Sequence, residues 1–178
     1  MTLYDGWDPP RPGWVCPECG LDYARTPPEA VGRLLDPLVP EYQARLQGDA
    51  EQLRERPDRS TWSALEYACH VRDCLALYDW RIRTVLAEER PEFRQMRRDA
   101  IAVEHGYNDQ PPADVAGQIA ANHARLTGLL DHITGTEWQR VGVREGEQLS
   151  IAWMAVNTLH EARHHLMDID RVLTESAN

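Results

Sequence analysis

The chain has 178 residues, 27% charged and 42% hydrophobic, which is enough for one domain with a buried core. A formal net charge of −10 and a pI near 5.1 argue against nucleic-acid backbones and anionic membranes as partners. No apolar run reaches transmembrane length, and Met1 to Pro12 lacks the basic start and apolar stretch of a signal peptide. The expectation is a cytoplasmic protein whose four cysteines are reduced or metal-bound rather than paired in disulfides.

Residues 1–27 read as an irregular N-terminal arm. They hold five of the twelve prolines, Trp7, Trp14 and Tyr23 to pack on the body, and the run Cys16-Pro-Glu-Cys19-Gly20. The remaining residues, 28–178, read as a bundle of helices. Thr26 is expected to cap the first, with Pro27 and Pro28 at its start and Glu29 completing a capping box. Pro37 and Pro40 should bend it or split it in two. Ser63-Ala-Leu-Glu66 is a second capping box, opening a helix to about Glu89, with Leu65, Ala68, Val71, Leu75, Tyr78, Ile82 and Val85 on its core side.

Residues 91–111 read as a loop with one helical turn. A third helix is expected from Pro112 to about Ile133, its apolar stripe interrupted by Asn122, and residues 136–149 as a Gly-containing loop or short hairpin. The last helix starts after Ser150, a candidate N-cap, and carries Ile151, Met154, Ala155, Leu159, Ala162, Leu166, Ile169 and Val172 at three- and four-residue steps. Four long amphipathic segments make an all-α, antiparallel four-helix bundle the economical fold, and bundles build metal sites from inward-facing side chains of neighbouring helices.

The last helix concentrates chemistry. Three of the seven histidines fall in His160-Glu161-Ala162-Arg163-His164-His165. His160 and His164 project from one face, one turn apart, within reach of a single metal ion, while His165 points about 100° away from His164. The second helix offers His70, flanked by Glu66 and Asp73. Neutral imidazoles from His70, His160 and His164 would hold zinc, nickel or iron and leave a position open for water or substrate. Isolated histidines on a helix are more often packed core or surface residues; two helices offering three of them shift the balance to metal.

The run Trp62-Ser63-Ala64-Leu65-Glu66-Tyr67-Ala68-Cys69-His70, followed far downstream by His160-x-x-x-His164, resembles the DinB/YfiT-like metal-binding bundles over about residues 28 to 175. The resemblance implies a divalent metal on His70, His160 and His164, often a homodimer, and thiol-dependent transfer or isomerisation using a small thiol such as mycothiol or bacillithiol. On that basis the expected function is a metal-dependent enzyme. A thiol or water activated at the metal would attack a small-molecule electrophile, with Glu66 or Glu161 taking the proton.

His160-Glu161-x-x-His164 also satisfies the H-E-x-x-H pattern of zinc peptidases. Only fourteen residues follow His164, and the sole histidine among them is the adjacent His165, so a peptidase ranks low. A non-catalytic metal- or ligand-binding module is the other alternative. Cys16-x-x-Cys19 resembles half of a rubredoxin-like zinc knuckle, and three readings of it stay open. The pair could hold a second, structural zinc with a histidine such as His105, His123 or His165, or with a helix cysteine. It could fold over the three-histidine centre as a lid or as extra ligands. It could be two reduced cysteines in a turn. Cys69 and Cys74 lie about 140° apart around a helix and cannot both complete such a site. Asp168, one turn beyond His164, is placed to orient a ligand imidazole.

Overall fold

A computed structural model of the chain describes residues 14–175; Trp7, expected to help dock the arm, lies outside them. The first bundle position is filled by separate pieces rather than one helix. A 3₁₀ turn at Pro28–Ala30 leads into α1 (Val31–Leu35), α2 (Leu38–Arg45) and α3 (Ala50–Arg54). Pro37 precedes α2 and Pro40 falls in its first turn, where backbone N–H groups have no intrahelical partner and a proline costs little. Thr26 does not cap this segment. Its hydroxyl donates to the Asp22 carbonyl at 2.6 Å, and Pro27 occupies the cap position without a side-chain bond.

The capping box at Ser63 and Glu66 forms as the sequence predicts and opens α4 (Ala64–Ala87). Two short elements then occupy the expected loop: β1 (Glu92–Phe93) and α5 (Arg98–Glu104). α6 (Pro112–Leu130) starts on a proline and ends before the expected Ile133. Asn122, which interrupts its apolar stripe, donates from Nδ2 to the Arg72 carbonyl of α4 at 2.8 Å, so the polar residue ties two helices together. β2 (Val141–Arg144) and β3 (Glu147–Ser150) form an antiparallel hairpin whose turn residues Glu145 and Gly146 both have positive φ, 50° and 89°. Ser150 then accepts from the Trp153 N–H at 3.0 Å and caps α7 (Ile151–Glu175).

α4 packs against both α6 and α7, and α1 and α2 close the bundle against the same two helices. The core between them includes Leu65, Ile82, Ile119, Leu126, Ile151, Met154 and Ile169, all essentially inaccessible. β1 pairs in parallel with β2, an addition the sequence does not announce. Gly142 makes that pairing possible, because a Cβ there would sit 2.3 Å from Phe93 Cε2. Among the described residues no helix is long and apolar enough to cross a membrane.

The described part of the arm, residues 14–27, turns around its cysteines. Val15 and Asp22 form a β-bridge, the Cys16 N–H donates to Leu21 O, and the Gly20 N–H donates to Cys16 O, both at 2.9 Å. Gly20 adopts φ +70°, which closes the turn without strain. Tyr23 donates its hydroxyl to Asn157 Oδ1, and Asn157 Nδ2 donates to the Tyr78 hydroxyl, both at 2.8 Å. One buried amide thereby links the arm to α7 and α4.

Candidate metal centres

Successive residues on α7 point about 100° apart, so the segment from His160 to His165 presents two different i,i+4 pairs to two different neighbours. Glu161 and His165 face α4. His70 Nε2 lies 3.1 Å from Glu161 Oε2, and His165 Nε2 lies 3.2 Å from the same oxygen. Donor atoms of His70, Glu161 and His165 all fall within 4.8 Å of one another. His160 and His164 face the arm, and their donor atoms gather with those of Cys16 and Cys19 within the same limit. Cys16 Sγ is 3.5 Å from His164 Nδ1.

The grouping expected from sequence, His70 with His160 and His164, therefore differs from the one the side chains adopt. The reason is register: the α7 face that meets α4 carries Glu161 and His165, one residue on from the H-x-x-x-H pair. Glu66, the other candidate proton acceptor, is buried but belongs to neither cluster. Its carboxylate accepts the Ser63 N–H at 2.9 Å and pairs with Arg56. Asp73 accepts from Tyr107 and Arg72 and does not reach His70. Cys69 Sγ lies 3.6 Å from the Tyr107 carbonyl, away from both clusters.

Both clusters fit a metal. In the first, two imidazoles and one carboxylate are a common catalytic donor set. Asp168 Oδ2 is 2.8 Å from His165 Nδ1, which leaves His165 Nε2 turned toward Glu161 and His70, as in carboxylate–histidine–metal arrangements. Burial alone would raise the Glu161 carboxyl, but hydrogen bonds with His165 and His70 outweigh it and hold it well below the ordinary range. Burial opposes charge on His165, yet Asp168 and Glu161 push it up to about 9. His70 shifts down because it is fully buried, with Glu161 opposing.

In the second cluster, Cys16, Cys19 and His160 are all buried. Neither ring nitrogen of His160 has a hydrogen-bond partner among the described residues. Such an unpartnered buried group ordinarily costs about 1–3 kcal/mol. Burial lowers His160 to about 4 and raises Cys19 to about 11, the latter reinforced by Cys16 beside it. Asp168 also lies 3.7 Å from His164 Nε2, so one carboxylate stands between the two clusters.

The first cluster opens onto a cleft. His70 and Glu161 line it with Cys74, Arg81, Arg98 and Arg144, around a volume of about 40 Å³, room for a few waters or one small functional group. Arg81 is 2% exposed. Its Nη2 donates to Arg94 O at 2.7 Å, while its Nε has no partner among the described residues. Cys74 Sγ sits 3.3 Å from His70 Nε2, and burial raises its thiol well above the usual range. The sequence drew attention to His70 and Glu161 but not to His165 as a partner of both. An i,i+4 scan that tested Glu161–His165 beside His160–His164 would have found it.

The solved structure of YfiT from Bacillus subtilis, described as a probable metal-dependent hydrolase with an unusual four-helix bundle topology, is similar to this chain. The similarity has a TM-score of 0.73 and 18% identity, and covers 82% of this chain and 85% of that one. At that identity the likeness speaks for the fold. No curated protein matches the chain. The DinB superfamily model matches residues 23–169, which include His70, His160, Glu161, His164 and His165 but not Cys16 and Cys19, and the chain belongs to that superfamily.

Proposed function

We propose that the protein is a metal-dependent enzyme acting on a small anionic molecule at the His70–Glu161–His165 centre. The observation that carries this reading is a two-histidine, one-carboxylate set, two of whose members, His70 and Glu161, line a cleft together with Arg81, Arg98 and Arg144. A divalent metal held there would supply Lewis acidity, lowering the pKa of a nucleophile's proton. His165 is fixed from behind by Asp168, and its ring stacks on Tyr67 at 5.3 Å between centroids, so it serves to hold. His70 and Glu161 reach the cleft, so a metal held by them would face the bound molecule, and the depressed carboxyl of Glu161 keeps it charged as a ligand. Arg81, in a net-acidic chain, offers an unpartnered N–H to an anionic group.

The nucleophile best suited to so small a space is water, which makes hydrolysis the favoured reaction and agrees with the description of YfiT. Transfer of a small thiol such as mycothiol uses the same activation and is separated by assay. An H-E-x-x-H peptidase fits poorly, since Glu161 is turned away from the cluster that holds His160 and His164. The test supplies the metal-reconstituted protein with small anionic esters and amides, and in parallel with thiols plus electrophilic acceptors. Turnover that disappears on adding chelator and in both His70→Ala and Glu161→Gln supports the reading. Turnover untouched by His70→Ala, or metal bound at this centre without turnover on either panel, favours a binding module instead.

A further inference from the structure

Four potential ligands from opposite ends of the chain meet outside the cleft: two cysteines of the N-terminal turn and two histidines of α7. We propose that Cys16, Cys19, His160 and His164 form a second, structural zinc site, distinct from the His70 centre, that fastens the N-terminal arm to α7.

The donor atoms lie within 4.8 Å of one another. In a tetrahedral zinc site they would stand about 3.3–3.8 Å apart, so closure needs only a small contraction. Two thiolates and two imidazoles favour zinc over the hard cations, and four protein ligands leave no position for substrate, the pattern of structural rather than catalytic sites. A second observation points to a ligand independently: His160 is 5% exposed and presents two ring nitrogens without a hydrogen-bond partner among the described residues. An imidazole serving only as core packing would ordinarily satisfy at least one of them.

The backbone prepares the pair. The Cys16–Leu21 and Gly20–Cys16 hydrogen bonds hold both sulfurs on one side of a tight turn, and Trp14 packs edge-on to His160 with centroids 5.4 Å apart. On binding, each thiol gives its proton to solvent, and the two thiolates neutralise the divalent ion. The bond would close a loop from residue 16 to residue 164, so ordering of the arm, including the Tyr23–Asn157 contact, becomes linked to the metal.

The test uses the full chain. Elemental analysis is expected to give two metals in the wild type, one in the Cys16→Ser/Cys19→Ser double variant and one in His70→Ala. Cobalt loaded into the wild type should show thiolate-to-cobalt charge transfer and tetrahedral ligand-field bands. These should persist in His70→Ala and in Cys74→Ser, whose sulfur lies beside His70. The wild-type spectrum does not depend on any variant folding, and circular dichroism checks those that are made. Absence of the thiolate band from the wild type, its loss in Cys74→Ser, full metal in the double cysteine variant, or a wild type holding a single metal that both the cysteine and the His70 variants lose would overturn the proposal. The thiolate band reports this site alone, so the result is independent of whether the His70 centre turns over substrate.

Discussion

His160 and Glu161 are consecutive in α7, yet their side chains join different clusters, His160 with Cys16, Cys19 and His164, and Glu161 with His70 and His165. The helix twist of about 100° per residue divides them: one face meets the arm, the other meets α4. A single step along this helix therefore decides which donor atoms come together.

His165→Ala is expected to remove the same metal as His70→Ala, although spacing alone would exempt it. Elemental analysis of the single variants decides. Full metal in His165→Ala, with one common metal lost from His70→Ala, His160→Ala and His164→Ala, would restore the three-histidine grouping.

Asp168→Asn should weaken metal binding at the His70 centre by about 10–100-fold, because His165 loses the carboxylate that fixes its ring. Competition with a chelator of known affinity measures this. The protein should keep its fold, since Asp168 lies at the end of the cluster rather than in the apolar core. Unchanged affinity would show that Asp168 does not position His165.

Arg81→Leu should abolish protection of the protein by small anions while leaving metal content intact. Inorganic phosphate and acetate, titrated against thermal unfolding in the metal-loaded protein, are the probes. Equal protection of wild type and variant would remove Arg81 from substrate binding.

Gly142→Ala should destabilise the hairpin by about 1–3 kcal/mol, because the new methyl overlaps the Phe93 ring. Combining it with Phe93→Leu should recover part of the loss in a denaturant melt. A double variant no more stable than Gly142→Ala would place the strain elsewhere.

Ile82→Ala, at a fully buried position between the helices, should cost about 2–5 kcal/mol and lower the melting temperature without changing metal content in the folded fraction. Denaturant unfolding monitored beside elemental analysis checks both halves.

Local chemistry made much of this protein legible in its sequence. Ser63 and Glu66 carry their own helix start, Ser150 caps α7, and the apolar steps along α4 and α7 announce the core, because capping and periodicity act within a few residues. The same reasoning found most of the residues in the clusters. It failed at Thr26, whose hydroxyl is drawn to the Asp22 carbonyl by the turn of the arm, and at β1, which exists only because β2 lies beside it and Gly142 admits Phe93.

The partnership of the histidines was settled by tertiary structure alone. Spacing places His160 and His164 on one face and Glu161 and His165 on another, but which face turns toward α4 depends on how α7 packs against the whole bundle. That rotation brings His70 to Glu161 and His165, and leaves His160 and His164 for cysteines more than 140 residues away in the chain. Sequence fixes the order of side chains around a helix; only packing fixes what each of them meets.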